Sequence, residues 1–200
     1  MTDSIDFYFE YSSPYGYIAS EKVEALAQRH GVSINWHPFL LGAVFKQEGT
    51  QSLVSYPMKG PYSKHDIERS ARFHSVPFRW PPTFPIFTVN AARATLWAQT
   101  AHPEKAVPLI HALYRICFAD GRDLGELDIV LEAAASVGLD PDGAAAAVKS
   151  QDMRQALKDK TQAAIDRGVF GSPFILVGDE PFWGADRLSM VDAWLEKGGW

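Results

Sequence analysis

The sequence predicts an α/β chain with a β-α-β unit at its start, a β-β-α unit at its end and an all-helical stretch between them. Three observations carry that expectation. Alternating apolar residues bracket one amphipathic segment near the start, a short apolar run followed by a turn lies near the end, and helix formers with apolar periodicity fill most of the middle.

Ile5, Phe7, Phe9 and Tyr11 alternate with Asp6, Tyr8 and Glu10, a period of two that fits a strand. Ser13 then stands where a helix N-cap belongs, and Pro14 suits the first helical position, where its missing N–H costs nothing. Tyr15, Ala19, Val23 and Leu26 recur at helical spacing, and Gly31 supplies a stop. Val32, Ile34 and Trp36 alternate again up to His37-Pro38. A link of this length suits a parallel pair joined by a right-handed crossover.

From there, residues 62–168 are helical in pattern. Ala91 to Ala101, Val107 to Phe118 and Leu127 to Val137 carry apolar periodicity, with Gly121-Arg122-Asp123 as a break. Asp140-Pro141-Asp142 is a helix start with a capping acid, and Gln151 to Arg167 forms a last helix closed by Gly168. Phe174 to Val177 then reads as a short buried strand, Gly178-Asp179 as a turn and Glu180 to Trp183 as a second strand. Leu188, Val191, Trp194 and Leu195 make the apolar face of a final helix ahead of Gly198-Gly199. This order is that of a thioredoxin-like fold, discontinuous over residues 1–61 and 169–200, with residues 62–168 as an inserted helical subdomain.

Charge and composition narrow the function classes. The net charge of −5 is spread along the chain, so no basic stripe offers itself to nucleic acid. Met1 to Asp6 has neither the basic start nor the apolar core of a signal segment, and no apolar run reaches the length of a membrane span. The single cysteine, Cys117, excludes an internal disulfide and fits a reducing compartment, so a cytoplasmic protein is expected, with Cys117 as a small buried hydrophobe. The six histidines show no metal-ligand spacing; His111 reads as packing on a helix, and no metal site is expected.

Five stretches have the residue types for chemistry. Ser13 places a hydroxyl at the head of a helix, where free N–H groups and the positive end of the macrodipole favour a thiolate or other anion. A capping role alone also accounts for it. Ser172-Pro173 stands before an apolar strand, and in a thioredoxin-like fold this place belongs to a cis-proline whose preceding residue pairs with an extended, peptide-like ligand. Gly184-Ala185-Asp186-Arg187 precedes the last helix, where Asp186 grips a ligand amine or simply complements the helix N-terminus. Lys59 is one cation in the Pro/Gly-rich loop Tyr56 to Pro61, and Arg79 to Pro85 offers aromatic walls or a structural loop. Neither Ser13 nor Gly16 can form a disulfide, which excludes dithiol redox chemistry at this helix start.

The stretches FYFEYSSPYGYIA, PFLLGAVFKQEG, YPMKGPY, FRWPPTFP, GVFGSPFILV and FWGADRL, in this order, resemble the 2-hydroxychromene-2-carboxylate isomerases, which stand with the kappa-class glutathione transferases in the DsbA-like thioredoxin superfamily. The resemblance implies glutathione as cofactor, a small aromatic substrate and a homodimer. It implies that Ser13 hydrogen-bonds the glutathione sulfur, with Pro14 and Tyr15 beside it, and that the Ser172 main chain, ahead of Pro173, pairs with the cysteinyl part. It further implies that Asp186 binds the γ-glutamyl amine, flanked by Ala185 and Arg187, and that Lys59 lines the same site. Thr50 stands where the family commonly has Asn, and Ser172 is more polar than the usual residue there. Trp80, Phe84 and Phe87 are the aromatics expected to shape the substrate pocket. The implied reaction interconverts a hydroxychromene carboxylate and a trans-o-hydroxybenzylidenepyruvate through transient thiolate addition. A conjugating kappa-class transferase and a redox-inactive thioredoxin-like binding module are the alternatives.

Overall fold

A computed structural model describes residues 3–200; Met1 and Thr2, part of the N-terminal stretch read above for a signal segment, lie outside the described residues. Strand β1 (Ser4–Phe9), helix α1 (Pro14–His30) and strand β2 (Ser33–Pro38) form the opening unit. Helices α2 (Leu41–Glu48), α3 (Lys59–Phe73), α4 (Val89–Ala101), α5 (Pro103–Phe118), α6 (Leu127–Ser136), α7 (Pro141–Lys149) and α8 (Gln151–Asp166) follow. Strands β3 (Phe174–Val177) and β4 (Glu180–Trp183), a short turn of 3₁₀ helix (Ala185–Arg187) and helix α9 (Leu188–Lys197) close the chain.

The strands make one sheet in the order β2-β1-β3-β4. β1 runs parallel to β2, with Ile5 opposite Ile34 and Phe7 opposite Trp36, and antiparallel to β3, with Phe7 opposite Ile175. The thioredoxin-like order expected from the sequence is therefore present. Edge exposure is limited: the Trp36 carbonyl of β2 accepts the Gln99 side chain of α4 at 2.8 Å, β2 ends in Pro38, and β4 carries Pro181.

β1 is central and covered on both faces. Ile5, Phe7 and Phe9 face Tyr17, Ile18 and Val23 of α1 and Leu109, Leu113, Tyr114 and Phe118 of α5, all within one apolar cluster. That cluster also takes in Ala94 of α4, Val130 of α6 and Val148 of α7, so the sheet and the helical stretch share a core. Each fully buried side chain of this size contributes roughly 1.5–3 kcal/mol. The opposite face of β1 puts Tyr8 among Phe39, Val44, Phe174 and Leu176. The polar half of the β1 alternation is thus not a solvent face.

The helical stretch departs from the sequence reading at its start. α2 is absent from that reading; it is short, lacks a side-chain cap and fully buries Val44 alone. α3 begins at Lys59, ahead of residue 62, so Lys59-Gly60-Pro61 is a first helical turn and not a loop. Pro61 is tolerated there because the first-turn N–H groups have no intrahelical partner. α5 likewise begins at Pro103, four residues before Val107, and carries Pro108 inside it.

Candidate active site

The site forms where β1 runs out into α1. Ser13 has extended backbone (φ −93°, ψ 107°), and its Oγ accepts the Gly16 N–H at 3.0 Å while donating to the Ser172 carbonyl at 2.6 Å. Ser172-Pro173 is a cis peptide leading into β3. Further bonds clamp the two turns together. The Glu10 N–H donates to Ser172 Oγ at 3.0 Å, and the Glu10 carbonyl accepts both the Ser13 N–H and the Tyr114 hydroxyl of α5 at 3.0 Å. Ser13 and Ser172 are both buried.

Gly16 turns this closeness into a sequence requirement. A Cβ there would stand 2.7 Å from Tyr114 Oη and 2.9 Å from Ser172 Oγ, and both atoms are held by their own hydrogen bonds or packing. Two main-chain donors remain beside Ser13. Pro14 has no N–H, and the N–H groups of Tyr15 and Ser172 have no acceptor among the described residues. At the start of a seventeen-residue helix such donors favour an anion.

The other residues named from the sequence lie at different distances from this centre. The Gly184 N–H donates to the Pro173 carbonyl at 3.0 Å, which seats the Ala185–Arg187 turn against the cis-proline. Gly184 has φ +111°, and a Cβ on it would overlap the Asp186 carboxylate. Asp186 and Arg187 pair at 3.2 Å and both are exposed at their tips. Tyr15 donates its hydroxyl to Asp66 of α3 at 2.6 Å. Burial and then Asp66, with smaller effects from Tyr62 and Asp186, push the Tyr15 phenol well up, so it stays protonated between α3 and the Asp186 turn.

Thr50 and Lys59 are outside this hydrogen-bonded centre. Thr50 is exposed after the end of α2, its N–H bound to the Phe45 carbonyl at 2.9 Å. Lys59 is exposed with its Nζ 5.5 Å from the Tyr56 ring centre. Of the three aromatics, Trp80 and Phe84 pack on each other and toward Phe78 and Phe118, and Trp80 Nε1 donates to Glu68 at 2.8 Å. They support the core. Phe87 is 84% exposed and directly precedes Thr88, whose hydroxyl donates to Glu10, so it alone of the three borders the clamp.

The sequence reading passed over Glu10, Thr88 and Tyr114. Glu10 is only 4% exposed, and burial pushes its carboxyl up despite bonds from Ser12 and Thr88. An acid three residues before Ser13, directly after the strand and next to the helix start, was the available signal. Cys117, on α5 one turn beyond Tyr114, is fully buried as expected, and burial raises its thiol well above the ordinary value. Among the described residues, no cluster of three or more His, Cys, Asp or Glu side chains is arranged to hold a metal ion, and no helix is long and apolar enough to cross a membrane.

Residues 4–196 match the family model of the DSBA-like thioredoxin domain. The chain belongs to the DsbA-like thioredoxin family. Within that family it is 30% identical to 2-hydroxychromene-2-carboxylate isomerase of Sphingobium xenophagum, over 98% of this chain and 99% of the relative. It is 28% identical to glutathione S-transferase kappa 1 of Caenorhabditis elegans, over 96% and 91% of the two chains. A solved structure of 2-hydroxychromene-2-carboxylate isomerase superposes with a TM-score of 0.89 over 97% of this chain and 95% of that one, at 24% identity, and shows the shared fold. In this DsbA-like chain the helix start carries serine and glycine, and the one cysteine lies elsewhere, on α5.

Proposed function

We propose that the chain is a glutathione-dependent isomerase that interconverts a hydroxychromene carboxylate and a ring-opened trans-o-hydroxybenzylidenepyruvate. One observation carries this reading: the Ser13 hydroxyl caps α1 beside the Ser172 main chain, flanked by the unpaired N–H groups of Tyr15 and Ser172, in a site without a cysteine. That set of donors fits a thiolate on a peptide-like ligand. The isomerases and the kappa transferase among the relatives support it.

Bound glutathione supplies the thiolate that adds to the conjugated side chain of the substrate and leaves again after rotation about the bond made single. Ser13 turns its O–H from the Ser172 carbonyl toward that sulfur. The released carbonyl and the Ser172 N–H then pair with the ligand main chain, so no hydrogen bond is lost. A free thiol has a pKa near ~8.5, and lowering it by about two units takes roughly 2.7 kcal/mol. A charge-assisted bond from Ser13, about 1.5–3 kcal/mol, and the helix N-terminus, about 0.3–1 kcal/mol, together supply that order of energy.

Asp186 takes the γ-glutamyl ammonium, with Ala185 and Arg187 beside it, and Pro14, Tyr15 and Pro173 wall the cysteinyl part. Lys59 and Thr50 reach the ligand from α3 and the end of α2, and Phe87 meets the aromatic substrate. A homodimer in the cytoplasm completes the reading, in keeping with the one buried thiol.

Ser13→Ala tests it. The variant is expected to fold with a loss of about 1 kcal/mol for the missing cap, while glutathione-dependent turnover falls roughly 10- to 100-fold. Full activity in Ser13→Ala overturns the role. The kappa-transferase relative favours a second reading, conjugation. Measuring glutathione after many turnovers separates the two, because isomerisation consumes none.

A further inference from the structure

Glu10 is the buried acid that the reaction scheme above leaves without a task. Its carboxylate has three partners: the Ser12 N–H at 2.9 Å, the Ser12 hydroxyl and the Thr88 hydroxyl. None of them is a cation. The other titratable groups around it are the Tyr11 phenol at the end of β1 and, on α5, the Tyr114 phenol and the Cys117 thiol, all of which burial holds neutral. A carboxylate here is solvated by two hydroxyls and one main-chain N–H, and a proton added to it is retained without breaking an ion pair.

The acid is also tied to the Ser13 turn. Its own main chain accepts the Ser13 N–H and donates to Ser172 Oγ, and Ser12, which joins Glu10 to the exterior, is only partly buried and adjacent to Ser13. Ser12, the residue next to Ser13, has its hydroxyl bonded to the buried carboxyl.

We propose that Glu10, acting through Ser12, is the proton acceptor for the thiol bound at Ser13. This rests on the glutathione reading of the site. The S–H bond breaks with its electron pair left on sulfur, Ser12 Oγ gains that proton, and the original Ser12 O–H proton passes to Glu10 Oε2. The buried site holds one negative charge before and after, moved from Glu10 to the sulfur. Two adjacent buried anions are avoided, an arrangement that like-charge repulsion would oppose.

Proton counting tests the transfer independently of turnover. Binding heats are measured for glutathione and for S-methylglutathione in buffers of different ionisation enthalpy at neutral pH, while ultraviolet absorbance follows the thiolate. In the wild type, thiolate forms with little proton release. In Glu10→Gln, which keeps shape and volume, the expected release is about one proton more per thiolate formed. S-methylglutathione releases none from either protein. A second measurement needs only the wild type: the infrared difference spectrum gains a protonated carboxyl band with glutathione and not with its S-methyl analogue. Equal proton release from the two proteins, or no carboxyl band, overturns the proposal while leaving the glutathione site standing. No binding of either peptide to the wild type overturns the glutathione reading, and this proposal with it.

Discussion

Helix α1 meets α5 at two levels. At its first turn the meeting is buried: Gly16 lies under Tyr114, and Tyr114, Ser13 and Ser172 converge on the backbone of Glu10. Further along, Glu21 and Glu24 of α1 meet His111 and Arg115 of α5. Arg115 holds both Glu21 oxygens at 3.0 and 2.8 Å, and His111 Nε2 stands 2.7 Å from Glu24. The first level is built of hydroxyls and main chain with one acid and no cation; the second is a network of formal charges whose outer members are half exposed. Buried neutral bonds are costly to leave unmade, whereas exposed ion pairs are screened by solvent and salt. The level at the candidate site uses the first kind of chemistry, and the level that only joins two helices uses the second.

Three substitutions sharpen this contrast, in falling order of effect. Gly16→Ala pushes a methyl group into Tyr114 Oη and Ser172 Oγ. Overpacking at such a point costs roughly 1–3 kcal/mol, and urea unfolding is expected to show it together with loss of glutathione binding. A variant that keeps both stability and binding would mean that the clamp is looser than its hydrogen bonds indicate. Tyr114→Phe removes the hydroxyl that donates to the Glu10 carbonyl and keeps the ring. About 1 kcal/mol of stability is expected to go, read as a lower urea midpoint at an unchanged slope.

The charged level responds least, and its signature is a pH profile. Burial opposes the charge on Glu21, but His111 and Arg115 outweigh it and hold its pKa at about 2. Burial likewise opposes protonation of His111, yet the Glu21 and Glu24 carboxylates raise its pKa above 6.5. Glu21 therefore adds stability that is complete above its ordinary 4.5 and is lost as pH falls toward about 2. His111 adds stability that is complete below 6.5 and is lost as pH rises through its raised value. Glu24→Gln is expected to lower the His111 midpoint in a proton NMR titration and to cost well under ~1 kcal/mol near neutral pH. An unmoved midpoint would assign the shift to Glu21 alone.

The contrast also explains what could be read from the chain itself. Ser13, Pro14 and Gly31 mark the ends of α1 because capping is local chemistry, and the two β units show in residue alternation for the same reason. Glu10 was hidden because alternation only says that it shares a face with Asp6 and Tyr8; its burial comes with Thr88 and with Tyr114 and Cys117 of α5, distant in sequence. α2 escaped notice because a short helix without a side-chain cap leaves little periodicity. Tyr56 to Pro61 looked like a loop because Gly60 and Pro61 usually break helices. Here Gly60 is needed for close approach, since a Cβ would stand 2.5 Å from the Val54 carbonyl, and Pro61 falls in the turn where its missing N–H is harmless. The Ser13–Ser172 pairing joins residues 159 positions apart and follows from the fold, not from either local motif.

The margins of the sheet have a consequence for how copies of this protein can meet. An open strand margin is a template on which a passing chain adds its own backbone, the first step toward ordered aggregates. Here one margin has its Trp36 carbonyl taken by Gln99 and ends in Pro38, and the other is interrupted by Pro181, which has no proton to offer a newcomer. Growth of the sheet by accretion of further strands is blocked from both sides. Copies that associate are left to do so through side-chain surfaces, where shape and charge choose the partner more strictly than a bare backbone does.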